Sequence, residues 1–258
     1  MKILVCVKQV PDTESPLEIN RDKTWISETD RMAFRMSRYD EYALEEAILI
    51  RESLPGTTVD AVTVGPARAA AVVKKSLEKG ADNGIHVVTD ESGYCPPAVT
   101  ARLIAEHAGA NAYDLILAGV MSEDCMQGLT GPMIAALLSI PCAASVITEA
   151  PGPGSGTLTV ECEYDGGSSE TAVISLPAVL TIQSGINRPR YPSLSNVLRA
   201  KSQEILTFSA SVPGNSTETE SILSIDHAHK SQAGVFIQGT PDEKAEQLLK
   251  VLHENSFI

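Results

Sequence analysis

The chain has 258 residues, enough for one large α/β domain with an appendage or for two small domains. Its 33 acidic residues outnumber the 20 lysines and arginines, so the formal net charge is −13. A field of that sign repels nucleic-acid phosphates and anionic lipid headgroups. No run approaches the roughly 18 to 20 apolar residues that cross a bilayer, and the N-terminus carries no cleavable signal pattern. We therefore expect a cytoplasmic protein without a nucleic-acid partner and without direct membrane insertion.

The five cysteines are odd in number, scattered along the chain and free of CxxC spacing. This pattern argues against a disulfide framework and against a zinc site. Free cysteine usually behaves as a small buried apolar residue, and we expect that role here.

The first 140 residues alternate between two kinds of segment. Short Val- and Ile-rich runs without polar alternation are typical of parallel strands covered on both faces, and they lie at Ile3–Val10, Val59–Val64, Ile85–Val88 and Leu115–Val120. Helical patterns separate them, at Asp40–Ser53, Ala67–Lys79 and Ala98–His107. The first helix places Ala43, Leu44, Ala47 and Ile48 on one stripe and Glu41, Glu45, Glu46 and Glu52 elsewhere. This order predicts a doubly wound, mainly parallel α/β sheet of the Rossmann-like kind.

Ligands bind such sheets at the carboxyl ends of the strands, where the direction of winding reverses. Three strand ends are therefore candidates: the one after Val5–Val7, the one at Val64–Pro66, and the glycine-rich segment GVMSEDCMQGLTGPM at 119–133.

Beyond Pro141 the pattern changes to Ala144–Thr148, Thr157–Tyr164 and Glu170–Ile182, with turns at PGPGSG and YDGGSS, which predicts an antiparallel extension of the sheet. From Gln183 to Ser224 the chain is polar and resembles an extended arm with nothing of its own to bury. The last segment predicts a helix with Thr240 as N-cap, Pro241 at the first position and Glu243 closing a capping box. Its apolar stripe consists of Ala245, Leu248, Leu249 and Leu252. An arm that ends this way is expected to dock onto a neighbour, although a helix folded back on its own domain is the alternative.

The segment 119–133 lies where a strand gives way to a helix whose predicted buried stripe is Met133, Ile134, Leu137 and Leu138. Unpaired N–H groups at a helix start accept a phosphate, glycines at 128 and 131 permit close approach, and Thr130 is a candidate N-cap or phosphate donor. The segment has neither the P-loop lysine nor a G-x-G-x-x-G pattern. A nucleotide site and a tight structural junction are both compatible with it.

Other polar residues give weaker signals. Glu123 and Asp124 are adjacent, which favours a solvated acidic loop over a converging carboxylate pair. Arg38 could pair a phosphate bidentately or lie exposed at the surface. No Ser-His-Asp or Cys-His arrangement follows from the sequence, so no catalytic residue is predicted.

Eight stretches, in order and spacing, resemble the beta subunit of electron transfer flavoproteins. They are MKILVCVKQVPDT, YDEYALEEA, VTVGPARA, SLEKGADNGIHV, LILAGVMSEDCMQGLTGPMIAALL, YDGGSSET, LPAVLT and NRPRYPSLSNVLRAK. The resemblance implies a heterodimer with an alpha subunit that holds most of the redox-active FAD. It implies an electron carrier subunit, not a stand-alone enzyme, in a bacterial or archaeal cytoplasm. Electrons would pass between an acyl-CoA dehydrogenase-type flavoenzyme and a second redox partner.

The resemblance also implies a nucleotide buried in this subunit, AMP in ordinary members and a second FAD in electron-bifurcating members that use NADH. Carried over by position, the cofactor-binding candidates are Cys6, Ser37, Arg38, Tyr39, Asp40, Val64, Gly119, Asp124, Cys125, Met126, Gln127, Gly128, Leu129 and Thr130. Ordinary members read roughly AIDDDxNQTGQ and bifurcating members roughly AIDGDTAQVGP where this chain reads SEDCMQGLTGP. Because Thr130 is retained and the bulky Met126 replaces a compact polar residue, AMP is favoured over FAD.

The loop RYPSLSN is stiffened by Pro189 and Pro192 and carries Leu194 alone among polar residues. The resemblance implies that Leu194, with Tyr191 beside it, anchors the dehydrogenase partner; a leucine that covers the base of its own short helix is the alternative. The expected division is a nucleotide-binding domain at 1–185 and, at 186–258, the recognition loop and an arm that docks on the alpha subunit. A stand-alone nucleotide-binding regulator on the same kind of sheet is a remote alternative, because it would not need that arm.

Overall fold

The structure, a computed structural model, describes residues 1–89, 94–152, 154, 156–210, 220, 222–227, 234 and 236–257. Parts of the predicted PGPGSG turn, and residues 211–219 and 221 of the predicted polar stretch before Ser224, lie outside these residues. The chain forms two compact units, Met1–Ser224 and Ile225–Ile258.

The strands in chain order are β1 Lys2–Cys6, β2 Gln9–Pro11, β3 Glu18–Ile19, β4 Ile26–Ser27, β5 Phe34–Met36, β6 Thr58–Gly65, β7 Asn83–Val88, β8 Leu115–Gly119, β9 Cys142–Pro151, β10 Thr157–Tyr164, β11 Ser168–Ser175, β12 Ala178–Ile182 and β13 Ile205–Ser209. The α-helices are α1 Arg38–Ser53, α2 Ala70–Lys79, α3 Pro97–Asn111, α4 Thr130–Leu138, α5 Leu194–Ser202 and α6 Pro241–Glu254. Single 3₁₀ turns lie at Ala67–Ala69 and Asp165–Gly167.

Nine strands form one sheet in the order β11-β10-β9-β12-β8-β1-β6-β7-β13. The seven strands from β9 to β13 in that order are parallel, and β10 and β11 extend the sheet antiparallel. This arrangement confirms the predicted α/β fold with its antiparallel extension and C-terminal helix.

The two faces of the sheet bury two apolar cores. On β1, Ile3 and Val5 point to the core with α1 and α2, whereas Leu4 and Cys6 point to the core with α3 and α4. Because both faces are covered, the central strands are apolar at consecutive positions, which is why their sequences show no alternation.

The direction of winding reverses between β1 and β8. From β1 the chain proceeds through α1 to β6 and through α2 to β7, and then α3 returns it along the other face to β8 on the far side of β1. The carboxyl ends of β1 and β8 therefore lie side by side at the crossover, the position where such sheets bind ligands.

Helix α1 confirms its predicted stripe, since Ala43, Leu44, Ala47 and Ile48 are fully buried. The position of two glutamates was not anticipated: Glu45 and Glu46, on the polar side of the predicted helix, are 5% and 7% exposed. In α4, Leu137 departs from the predicted buried stripe because it is 54% exposed, and Ala135 is buried instead.

Two predicted single strands are divided. The run at 3–10 ends as β1 at Cys6, and residues 9–11 pair separately with β5. The run at 170–182 becomes two strands, β11 and β12, which Leu176 and Pro177 separate along the chain. In the sheet the two strands are not neighbours. Proline cannot donate to a strand ladder, and this explains the interruption.

The prediction of an extended arm with nothing to bury is wrong for its first part. Residues 194–202 form α5, whose Ala200 is buried, and β13 pairs in parallel with β7 at the edge of the sheet. Arg199 donates to the carbonyl oxygens of Leu77 and Ala81 at the end of α2. This segment is part of the first unit.

In the second unit, α6 confirms the predicted capping box. The Thr240 hydroxyl accepts from the Glu243 amide, and the Thr240 amide donates to Glu243 Oε2 at 2.8 Å. None of the residues of α6 is buried, and Leu248 and Leu249 are each about half exposed. The helix thus leaves its apolar stripe largely uncovered.

Candidate functional site

A cavity lies at the crossover, bounded by the ends of β1, β6 and β8 and by the starts of α3 and α4. The space between its lining atoms is about 790 Å³, a figure that includes open solvent at the mouth. Nine of the fourteen predicted cofactor residues line it: Cys6, Asp40, Val64, Gly119, Cys125, Gln127, Gly128, Leu129 and Thr130.

The other five predicted residues do not line this cavity. Ser37, Arg38 and Tyr39 lie at the start of α1, where Ser37 is fully buried and the Arg38 side chain is 68% exposed. Asp124 lines an adjoining cavity. Met126, with a φ of +54°, is 66% exposed.

Asp40 joins the two central strands at the crossover. Its Oδ2 accepts from the Lys8 amide at 2.8 Å and its Oδ1 accepts from the Gly119 amide at 3.0 Å. Burial of the carboxyl raises its pKa to about 7, against the opposing effect of these two hydrogen bonds. The start of α1 is thereby attached to the floor of the cavity.

Gly119 allows this attachment. A Cβ there would lie 2.6 Å from Asp40 Oδ1 and 2.8 Å from the carbonyl carbon of Tyr39. Any larger residue would push α1 away from the end of β8.

Lys8 follows β1 and projects toward the glycine-rich loop. Its Nζ lies 2.8 Å from Asp124 Oδ1, 3.1 Å from Ser122 Oγ and 3.6 Å from Cys125 Sγ. Burial opposes the charge of Lys8, but Asp124 and Cys125 outweigh it and raise its pKa. Lys8 therefore keeps its positive charge at one side of the cavity.

The acidic pair in the loop is not solvated, contrary to the favoured interpretation of the sequence. The Asp124 side chain is 10% exposed beside Lys8, and that of Glu123 is 17% exposed. Glu123 accepts from Arg35 at 2.7 Å and from the Arg38 amide at 3.1 Å. The two carboxylates diverge and attach the loop to two different segments, so they form no carboxylate pair.

The start of α4 faces the cavity. The N-cap is Leu129 and not Thr130, which is the first helical residue, so the predicted capping role of Thr130 is wrong. Pro132 has no amide hydrogen, and the N–H groups of the first turn and the Thr130 hydroxyl remain as donors for an anion. Gly131 fits this helix against β12, because a Cβ there would collide with Thr181.

Sequence reasoning missed several lining residues. Pro97, Thr100 and Ile104 come from the start of α3, and Lys8 and Ser122 are the polar additions. A lone lysine directly after an apolar strand that ends at the crossover edge was an available signal for Lys8. The sequence predicted this helix at 98–107, but nothing in its pattern indicated that it lines the cavity.

The thiols at the cavity are poor nucleophiles. Burial raises the pKa of Cys6 far above its usual range and that of Cys125 to about 11. Both are protonated near neutral pH and contribute small, weakly polar surfaces.

A second cavity of about 650 Å³ adjoins the first and shares Lys8, Val64, Cys95 and Cys125 with it. Its wall includes Trp25 and Tyr94, whose ring centroids are 5.3 Å apart, and Phe34 beneath the guanidinium of Arg68. The Lys8–Asp124 ion pair thus lies where the two cavities meet.

The predicted recognition loop is exposed. Tyr191 is 94% and Leu194 76% exposed, and Leu198 on the next turn of α5 is 57% exposed. Leu194 therefore does not cover the base of its own helix.

Within the residues that the structure describes, no group of three or more His, Cys, Asp or Glu side chains could hold a metal ion. No helix among them is both long and apolar enough to cross a membrane.

A mainly parallel sheet with a cavity at its crossover and a helix start facing that cavity defines an α/β protein whose candidate ligand site lies where such sheets bind their ligands. The model of the electron transfer flavoprotein domain matches residues 24–213. Beta subunits of electron transfer flavoproteins from Methylophilus methylotrophus and Bos taurus are each 34% identical, covering 98% and 94% of both chains, and the mitochondrial subunit of Arabidopsis thaliana is 34% identical over 98% of this chain and 99% of its own. The chain belongs to the electron transfer flavoprotein beta subunit family.

Membership makes the chain a component of an electron transfer flavoprotein, associated with flavin and, as a beta subunit, with an alpha subunit. The relatives include both bacterial and mitochondrial proteins, so the cellular location stays a prediction.

Proposed function

We propose that this chain forms a heterodimer that carries electrons from an acyl-CoA dehydrogenase-type flavoenzyme to a second redox partner. FAD, held mostly by the alpha subunit, supplies the redox chemistry when bound. This subunit buries an AMP in the cavity at the crossover. The observation that carries the proposal is that cavity, which combines apolar walls, the start of α4 and a lysine at one site.

The cavity suits a mononucleotide. The N–H groups at the start of α4 and the Thr130 hydroxyl are donors for one phosphate, while Ile104, Val64 and Ala118 offer apolar surface to a base. At its border, the salt bridge of Lys8 with Asp124 limits the space for anything larger.

A second FAD in place of AMP, with NADH as donor, is the alternative. The adjoining cavity favours it, because its three aromatic side chains provide a surface for a flavin ring or a nicotinamide. A dinucleotide would have to pass the Lys8–Asp124 ion pair or displace it.

The released nucleotides distinguish these proposals. The chain is co-expressed with its alpha subunit, the purified complex is denatured, and the supernatant is resolved by chromatography. One FAD and one AMP per complex support the first proposal, and two FAD without AMP support the second. Absence of flavin would contradict both.

The exposed loop is proposed to bind the dehydrogenase. Leu194 and Tyr191 present apolar surface that a partner's pocket can bury, and such anchors carry much of the binding energy of an interface. Leu194→Ala is expected to raise the apparent KM for the dehydrogenase by about tenfold at unchanged kcat. The matched control is Leu137→Ala, since Leu137 is 54% exposed on α4, which packs on the other face of the sheet. An equal KM in both variants would contradict this role.

Residues 186–258 are proposed to serve partner contacts, with the stripe of α6 docking on the alpha subunit. The support is the exposure of that stripe in the second unit.

A further inference from the structure

The segment before α5 carries exposed apolar side chains but is itself held by buried acids. Glu45 and Glu46 are neighbours on α1, and both are more than nine-tenths buried. A buried carboxylate is costly unless it is paired, so each of these needs a strong donor. Arg190 donates to Glu45 and Asn187 donates to Glu46, both from more than 140 residues later, and Glu46 also shares a hydrogen bond with the Glu149 carboxyl.

Arg190 pairs with two carboxylates at once. Its Nε lies 2.9 Å from Glu45 Oε1, its Nη2 lies 2.8 Å from the same oxygen, and its backbone amide donates to Glu45 Oε2 at 3.0 Å. The guanidinium also donates to both oxygens of Glu52, which lies about two turns further along α1. Such forked pairs fix the direction of the arginine as well as its position.

The loop has fixed points on both sides of its exposed residues. Asn187 Nδ2 donates to Glu46 Oε2 at 2.7 Å and to the Tyr42 carbonyl oxygen at 3.0 Å. Beyond the tip, the Ser193 hydroxyl accepts from the Asn196 amide and caps α5. Between these points Tyr191 is 94% exposed, and Leu194, the residue after Ser193, is 76% exposed.

We infer that Glu45 and Arg190 are positioning residues that hold the recognition loop in its binding conformation before the partner arrives. An exposed leucine and tyrosine would otherwise collapse onto the nearest apolar surface, because burial of apolar area is favourable. Holding the loop open in advance removes the cost of ordering it on binding. The inference deepens the proposed function of the loop and rests on it for the partner, although not for the conformation.

Trypsin reports the conformation directly. It cleaves the Arg190–Tyr191 bond only when the Arg190 side chain leaves Glu45 and Glu52, and the preceding Arg188 is protected by Pro189. In the full chain with its alpha subunit, Glu45→Gln is expected to accelerate cleavage at this bond about tenfold, followed by mass spectrometry. Glu41→Gln is the matched control, because Glu41 lies on the same helix and pairs only with Lys79 among the described ion pairs. Equal cleavage rates in the two variants would overturn the inference.

Unfolding is monitored in the same digest by cleavage after Arg102, which lies within α3 and away from the substituted residues. Should Glu45→Gln also accelerate that cleavage, the exposed Glu52→Gln decides, with an expected increase of about threefold at Arg190–Tyr191 only. No increase in Glu52→Gln then counts against the inference.

Kinetic measurements with the dehydrogenase distinguish failure of this inference from failure of the proposed function. Glu45→Gln is expected to raise the KM for an acyl-CoA dehydrogenase about tenfold at unchanged kcat, and Arg190→Lys about threefold, because lysine keeps the charge without the fork. If Leu194→Ala leaves KM unchanged, the proposed partner role fails while the proteolysis result still stands. If Leu194→Ala raises KM but Glu45→Gln does not, the positioning role fails.

Discussion

The carboxyl group of Asp40 connects the two central strands. One oxygen accepts from the amide of Lys8, just after β1, and the other accepts from the amide of Gly119 at the end of β8. Burial keeps this group close to half-protonated near neutral pH. Its pKa lies near 3.8 in the unfolded chain and about 7 in the folded one, so the folded state binds the proton more tightly between these values. The contribution of Asp40 to stability therefore falls as pH rises from about 4 to 7.

Asp40→Asn is expected to flatten this dependence. The free energy of unfolding, from urea titrations at pH 5 and pH 7.5, should change by about 1 to 3 kcal/mol less between the two pH values than in the wild type. At pH 5 the variant is expected to be less stable than the wild type, because the NH₂ group of asparagine cannot accept from one of the two backbone N–H donors. Glu46 and Glu149 also have raised pKa values and add a slope of the same sign to both proteins. The exposed Asp22→Asn serves as control, and identical slopes in wild type and Asp40→Asn would contradict the assignment.

At the scale of single residues, the sequence predicted Cys6, Val64 and Gly119 by their position at or near strand ends, and all three line the cavity. Asp40, which lies in the first turn of α1, was predicted only from the family resemblance. The partners of Lys8 and of Glu45 could not be predicted, because Asp124 and Arg190 follow them by 116 and 145 residues. The apolar pattern of one helix does not predict which distant arginine or lysine will pair with a buried glutamate on that helix.

Between elements, α1 approaches the end of β8 closely at Gly119. Gly119→Ala is expected to cost about 1 to 3 kcal/mol and to lower the nucleotide content of the purified complex, because the overlap falls on backbone and not only on a flexible side chain. Urea midpoints and released nucleotide measure both effects.

Gly109→Ala provides the comparison. A Cβ at this position in α3 meets only Leu138 Cδ2 at 3.5 Å, an ordinary contact, so the helix should gain up to about 1 kcal/mol. Similar losses in both variants would show that the contact with α1 is not the cause.

The elements themselves were predicted unevenly. Parallel strands such as β6 and β8 were predicted from their continuous apolar runs, and α6 was predicted from its capping box. In contrast, α5 and β13 lie in a polar stretch and are stabilised by contacts with α2 and β7, which no local pattern encodes.

For the whole molecule, the division after Ser224 has a testable consequence. Because none of the described residues after Ser224 is buried or belongs to the two apolar cores, we expect a chain ending at Ser224 to keep both cores. We expect its free energy of unfolding to change by less than about 0.5 kcal/mol, while its affinity for the alpha subunit falls at least tenfold. Isothermal calorimetry and urea unfolding provide the two values. Unchanged affinity would count against docking by the second unit.

The position of β13 at the edge of the sheet also affects folding of the chain during its synthesis. Strand β7 is complete at Val88, but its outer neighbour begins only at Ile205, 117 residues later. At roughly 5 to 20 residues per second, the edge of β7 waits about 6 to 23 s for its partner during synthesis. Throughout that interval an apolar strand presents unpaired backbone groups, a template for contact between nascent chains. Slow translation between these two strands would therefore lower the yield of soluble protein without altering any contact of the finished fold.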